Sequence, residues 1–193
     1  APDLAAAVTE QLRQLALAHA EVAVVVGEHP DDHPGDHVEF LFTANPGAPL
    51  LPLSKVASGG ELARTMLALR LALMVDDEAA ATDGRVDTRT LVFDEVDAGI
   101  GGAAATAVGG ALAAVGRRHQ VLVVTHLAQV AAQATAQVAV TKDVTNGVTT
   151  ATAVAVTADE RVEELARMLS GADGGAAALR HATELLRRRV SQA

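Results

Sequence analysis

The chain has 193 residues, half of them apolar, which is enough for one real core with at most a small appended lobe. Its 15 basic and 24 acidic residues leave a net charge of -9, the wrong sign for a strong binder of the phosphate backbone. Aromatic residues make up 2% and cysteine is absent, so stacking platforms for bases are scarce, and disulfides, thiol catalysis and Cys-type zinc sites are excluded. Without Trp or Tyr the core has to be built from Ala, Val and Leu.

No apolar run approaches 18 residues, and no basic start leads into a short apolar stretch, so neither a membrane span nor a secretory signal is expected. The chain reads as soluble and cytoplasmic. It begins Ala1-Pro2 without Met, as a piece of a longer protein would.

Leu4 to Ala20 predicts an amphipathic helix, with Leu4, Val8, Leu12 and Leu15 at helical spacing, suited to be the end of a longer coiled coil. Residues 1–20 are expected to form that segment and 21–193 the domain proper. Glu21 to Gly27 reads as a strand and Val38 to Thr43 as its hairpin partner. Between them His29, Asp31, Asp32, His33 and His37 resemble a metal cluster. Pro30, Pro34 and Gly35 break any regular element there, so His33 and His37 cannot share a helix face, and a solvated turn is the expectation.

Asn45 to Leu53 is a Pro-rich connector that delivers the chain to Ser58-Gly59-Gly60-Glu61. A helix follows to about Val75. Leu62, Met66, Leu69 and Leu73 form one stripe and Leu67, Leu71 and Met74 cover much of the opposite side, which predicts burial on most of its surface. Its amino terminus combines the Ser58 hydroxyl, two glycines that let backbone N–H groups approach a ligand, and the positive end of the helix dipole, an arrangement suited to phosphate. A plain capped helix start is the simpler reading of the same four residues.

Asp76 to Arg89 is polar and reads as a surface loop. Leu91, Val92 and Phe93 then form a short apolar strand that stops at Asp94 and Glu95. Side chains at the carboxyl end of a parallel strand face the crevice where ligands bind. Two acids there can hold a hydrated Mg²⁺ through the first carboxylate and position a water with the second, and a solvated turn is the alternative. After Asp97 and a glycine-rich turn comes an alanine-rich helix, Ala103 to about Gly116, expected to lie close on the sheet. Gln120 to Thr125 is a second buried strand ending at His126, and a crossover helix between parallel neighbours brings both carboxyl ends to one crevice. Val138 to Val156 alternates around Asn146-Gly147, a hairpin signal. Two helices, Asp159 to Leu169 and Gly175 to Val190, complete the chain, the second ending in Arg187-Arg188-Arg189.

The blocks LSKVASGGELARTMLALRLAL, TLVFDEVDAGIGG and QVLVVTHLAQVAA, in this order, resemble the carboxyl-terminal half of the ATPase head of the RecN family of bacterial DNA repair proteins, relatives of the SMC and ABC ATPases. VEFLFTANPG and VEELARMLSGADGGAAALRHATELL are similar too, so the resemblance runs from about Ala20 to the end. It implies an α/β fold: the second half of a P-loop NTPase head, a mostly parallel sheet flanked by helices plus a β-hairpin. It also implies ATP and Mg²⁺ as cofactors. Ser58, Gly59, Gly60 and Glu61 would then be the signature motif that contacts the γ-phosphate of ATP held by an opposite head. Asp94 would be the Walker B aspartate on Mg²⁺, Glu95 the catalytic base, Asp97 the D-loop acid and His126 the switch histidine.

No G-x-x-x-x-G-K-[ST] occurs, and the only lysines, Lys55 and Lys142, do not follow a glycine. The implied partners are therefore the amino-terminal, Walker A half of the same head, a second head in a homodimer, and DNA through the complete protein, with no membrane and a nucleoid-associated location. Two other functions fit the residues: a non-catalytic module that completes a partner's ATP site, and a Mg²⁺-dependent phosphohydrolase using Asp94, Glu95, Asp97 and the HPDDH loop.

Overall fold

The computed structural model describes residues 1–28, 36–80, 88–145, 148–171 and 175–190. The chain divides into two compact units, Ala1–Val124 and Thr125–Ala193.

The first unit opens with α1, Pro2–Gln14, which buries Val8 and Leu12 and packs on a later helix and on the first strand. It ends before the predicted Ala20. Ala16 takes a left-handed φ of 63°, and the Leu17 N–H returns 3.0 Å to the Leu12 carbonyl. That bond closes the helix end as a glycine-type cap ordinarily does, and it places Leu17 beside Leu12 in the core. The strands β1, Glu21–Glu28, and β2, Asp36–Thr43, pair antiparallel from Glu21↔Thr43 to Glu28↔Asp36, the hairpin expected. The metal-like cluster at His29, Asp31, Asp32 and His33 lies outside the described residues, and His37 is exposed on β2.

The connector is not wholly irregular. Leu51–Pro52 forms β3, paired to β2 through Leu41↔Pro52 and Phe42↔Leu51, and Leu53–Val56 makes a single turn, α2. Proline at the end of an edge strand is compatible with this pairing because its missing N–H is not needed there. The long helix α3 runs Gly59–Ala80, past the predicted end. Asp76-Asp77-Glu78-Ala79-Ala80 contains no glycine or proline to stop it.

Next come β4, Thr90–Phe93, the helix α4, Gly102–Gly116, and β5, Gln120–Val123. β4 and β5 pair in parallel from Thr90↔Gln120 to Phe93↔Val123, so their carboxyl ends are level. α4 buries Ala105, Val108, Leu112 and Val115. In a core poor in aromatics, Phe42 and Phe93 are the large buried rings, and each contributes roughly 1.5–3 kcal/mol by removal from water. The opposite face of the parallel pair is open: Val92 is 67%, Leu122 51% and Val124 62% exposed. α3 is likewise one-sided, with Leu67, Ala68 and Ala72 buried but Leu62, Met66 and Leu73 exposed, contrary to the expectation of burial nearly all round.

The second unit starts with Thr125 and His126 and the short α5, Ala128–Ala131. A ribbon of β6, Gln137–Thr145, and β7, Val148–Val156, follows; the Asn146-Gly147 turn lies outside the described residues. α6, Ala158–Ser170, and α7, Ala176–Val190, pack together around Leu165, Ala166 and Ala182, with Val162, Leu169 and Leu185 against them. α6 begins with a reciprocal cap between Thr157 and Glu160. No helix among the described residues is long and apolar enough to cross a membrane.

Candidate functional site

In the first unit α3 begins against the turn that follows β4. Ser58 caps α3: its N–H donates to the Glu61 carboxylate at 2.7 Å, and its Oγ accepts the Glu61 N–H at 3.3 Å. The Leu62 N–H donates to the Ser58 carbonyl at 2.8 Å, the first helical bond. The capping reading and the ligand reading of Ser-Gly-Gly-Glu are therefore compatible, because the cap points the remaining first-turn N–H groups along the axis.

Gly60 is needed for close approach to the turn's backbone, and at Gly59 an added side chain would have to push the Glu95 carboxylate aside. A Cβ on Gly59 would overlap the Glu95 carboxylate, and one on Gly60 would lie 2.9 Å from the Ala98 carbonyl oxygen and 3.0 Å from its Cβ. Gly60 is buried; Ser58 and Gly59 are exposed.

The turn after β4 is built by its own hydrogen bonds. Asp94 Oδ1 accepts the Glu95 N–H at 2.9 Å, the Ala98 N–H donates to the Glu95 carbonyl at 3.0 Å, and the Ile100 N–H donates to the Asp97 carbonyl at 3.3 Å. Glu95 sits at φ 57°, a left-handed conformation that an ordinary side chain adopts only at a cost of order 1–3 kcal/mol when the surroundings dictate it. Asp94 and Glu95 are exposed, whereas Val96 and Asp97 are buried at 0% and 2%. The chain thus presents two carboxylates at the end of a parallel strand and anchors them from below.

Chemically, the exposed Asp94 carboxylate suits Mg²⁺, which takes one or two protein carboxylates and completes its shell with water and phosphate oxygens. Among the described residues no group of three or more His, Asp or Glu is placed to hold a metal ion by itself. A glycine-faced helix start suits an anion. Ser58, Gly59, Gly60, Glu61, Asp94, Glu95 and Asp97 all lie in the first unit, and the close approaches of Gly59 to Glu95 and of Gly60 to Ala98 bring the two stretches together. His126 belongs to the second unit, where the Leu127 N–H donates to Thr125 Oγ1 at 3.0 Å and α5 follows at once.

Two arginines escape the reading of motifs. Arg64, on α3, is buried at 6% exposure; its Nη1 donates to the Ala98 carbonyl at 2.9 Å and the Val96 carbonyl at 3.4 Å. Burial lowers its pKa, and nearby Glu61 raises it in part. Arg161, on α6, is buried at 8% exposure and caps the segment after α5: its Nη2 donates to the carbonyls of Ala131 (3.0 Å), Ala132 (3.3 Å) and Ala134 (2.6 Å), and its Nε to Gln137 Oε1 (3.2 Å). Burial lowers its pKa as well, with Arg189 adding to the effect. The available signal was a cation on the apolar side of each helix, Arg64 in register with Leu67 and Ala68 and Arg161 with Leu165.

No family model matches the chain. It is similar to the DNA repair protein RecN of Deinococcus radiodurans, 47% identical over 177 residues that make up 91% of this chain and 29% of that protein. RecN of Streptomyces coelicolor is 42% identical over 196 residues, 94% of this chain and 33% of its own length. The chain therefore spans about a third or less of these relatives. Among solved structures, the Smc head domain with a coiled coil and joint from Pyrococcus yayanosii superposes with a TM-score of 0.57 at 22% identity, covering 85% of this chain and 28% of that one. The Pyrococcus furiosus Smc head domain with an extended coiled coil, bound to the C-terminal domain of ScpA, gives 0.52 at 20%, covering 87% and 37%. The fold is that of part of an Smc head domain, and nearly the whole of this chain resembles a part of RecN.

Proposed function

We propose that this chain is the carboxyl-terminal half of an ATP-binding and hydrolysing head of a RecN-like protein that serves double-strand break repair and recombination. A Walker A-bearing segment completes the head, and ATP held between two such heads drives their dimerisation. The observation that carries this reading is the meeting of Ser58-Gly59-Gly60 with the Asp94-Glu95-Asp97 turn at the end of a parallel strand pair whose other face is uncovered. Parallel sheets are ordinarily covered on both faces, and Val92, Leu122 and Val124 are the positions that further strands and helices of a complete head would shield.

Within that head, Asp94 would hold Mg²⁺, which when bound screens phosphate charge. Glu95 accepts a proton at its carboxylate from the water it orients. Ser58 Oγ and the N–H groups of Gly59 and Gly60 offer donors to the γ-phosphate of a nucleotide carried by the facing head. The Asp97 turn supports Glu95 through the Ala98 to Glu95 hydrogen bond. His126 supplies a donor toward the γ-phosphate of its own head, and residues 1–20 lead from a coiled coil. DNA is reached through the complete protein, at the nucleoid.

The test is Glu95→Gln in the chain combined with a Walker A-bearing half. The amide keeps shape and polarity but loses the basic site, so ATP binding is retained and the heads remain dimeric by light scattering, while turnover falls by two or more orders of magnitude, a factor of about 10²–10⁴ being usual for a general base. Turnover at the unsubstituted rate would overturn the assignment.

A further inference from the structure

Arg64 is expensive for this fold. Among the described residues this guanidinium, taken out of water with its Nε buried and unpartnered, is held by two neutral carbonyls and by no carboxylate in hydrogen-bond contact. Glu61, one turn earlier, acts on it only at a distance. An apolar side chain of similar length would avoid desolvating a charge but would leave the Val96 and Ala98 carbonyls without their donor. What the arginine does beyond filling that space is set by where those carbonyls sit.

Its two acceptors explain more. Val96 and Ala98 flank Asp97, so one nitrogen grips both sides of that residue. Ala98 is also the residue whose N–H closes the turn onto the Glu95 carbonyl, and Glu95 is the one held at a left-handed φ. On the other side, the start of α3 meets the same atom: a Cβ at Gly60 would stand 2.9 Å from the Ala98 oxygen and 3.2 Å from Arg64 Nη1. There is no slack between the first turn of α3 and the turn that carries both acids.

We propose that Arg64 is a positioning residue that locks the start of α3 to the Asp97 turn and thereby sets the placement of Glu95. The inference rests on the ATPase reading for its consequence and on the hydrogen bonds of Arg64 for the link. Arginine suits this role because its planar guanidinium is more weakly hydrated than an ammonium and its donor directions are fixed, whereas lysine carries its three donors on a strongly hydrated, freely rotating ammonium.

The experiment compares the unsubstituted protein with Arg64→Met and Arg64→Lys. Amide hydrogen exchange is first read on the chain without nucleotide, then kcat and KM for ATP on the chain assembled with a Walker A-bearing half. Arg64→Met should accelerate exchange at Ala98 and Ile100 by tenfold or more while α4 amides change less than twofold. In the assembly it should lower kcat about tenfold, with KM within threefold of the parent. Arg64→Lys should recover part of the lost kcat and of the protection. Uniform acceleration across the first unit, unchanged exchange at Ala98, or a rise in KM with kcat intact would overturn the proposal. If Arg64→Met does not fold, the Arg64→Lys exchange pattern and its kcat against KM split decide alone. An unsubstituted assembly that does not hydrolyse ATP would refute the proposed function instead, and the exchange measurement would still decide the link.

Discussion

Replacing glycine by alanine should have opposite effects at two helical positions of this chain, and the difference follows from what the added methyl meets. Gly60 is buried in the first turn of α3, where a Cβ would stand 2.9 Å from the Ala98 oxygen, 3.0 Å from the Ala98 Cβ and 3.2 Å from Arg64 Nη1. Two of these are backbone or short side-chain atoms that cannot swing aside. Alanine gains at most about 1 kcal/mol from helix propensity. Against this stand roughly 1–3 kcal/mol for overpacking, or a similar loss if the turn backs away and gives up the charged hydrogen bond from Arg64. Gly60→Ala should therefore destabilise by about 1–2 kcal/mol. Gly110 lies exposed within α4, and a methyl added there would meet nothing within 4 Å. At that position the same substitution should stabilise by roughly 0.5–1 kcal/mol through the lost freedom of the unfolded chain. Urea unfolding of both variants and the parent gives the midpoints, and an unchanged slope confines the effect to stability. A Gly60→Ala chain that gains stability as Gly110→Ala does would refute the close fit between α3 and the Asp97 turn.

In the second unit, Arg161→Met should cost about 1–3 kcal/mol, because the carbonyls of Ala131, Ala132 and Ala134 lose their buried donor; urea unfolding checks this, and a change below about 0.5 kcal/mol, the size of an ordinary surface substitution, would contradict it. The Thr157 N–H and hydroxyl both donate to the Glu160 carboxylate at 2.9 Å and hold its pKa below the ordinary 4.5. An acid whose folded pKa is depressed contributes stability above its unfolded pKa and loses it as pH falls through the folded one. The difference in thermal midpoint between the parent and Glu160→Gln should thus be constant at neutral pH and shrink only below about pH 4.5; growth on acidification would show the sign to be wrong.

Much of this architecture is legible in the residues alone. The apolar run at Glu21–Gly27 and the alternating one across Val138–Val156 are strands, the apolar runs Leu91–Phe93 and Gln120–Thr125 hold parallel neighbours, and α6 buries the side its periodicity marks. The two motif stretches stand out because their chemistry is local: glycines at a helix start, acids at a strand end. What is not legible depends on distant atoms or on single torsions. Ala16 ends α1 through a left-handed φ that alanine's propensity argues against. β3 is too short to carry a pattern and exists because β2 offers it an edge. Arg64 and Arg161 lie on the apolar side of their helices, but what they do shows only when the carbonyls they grip, some 30 residues away along the chain, are placed beside them. The exposed Leu62, Met66 and Leu73 show the same limit, since periodicity reports which faces can be buried and not which of them are.

Steady-state phosphate release tests the central claim most directly. Backbone N–H groups of a Walker A loop and its lysine supply most contacts to the β- and γ-phosphates, and the motif G-x-x-x-x-G-K-[ST] does not occur in this sequence. The chain alone should release no phosphate from ATP. Mixed with the Walker A-bearing half it should do so, and the activity should disappear again with Ser58→Arg, whose bulk fills the seat offered to the facing head's γ-phosphate while leaving each head assembled. Robust hydrolysis by the purified chain alone would contradict the account.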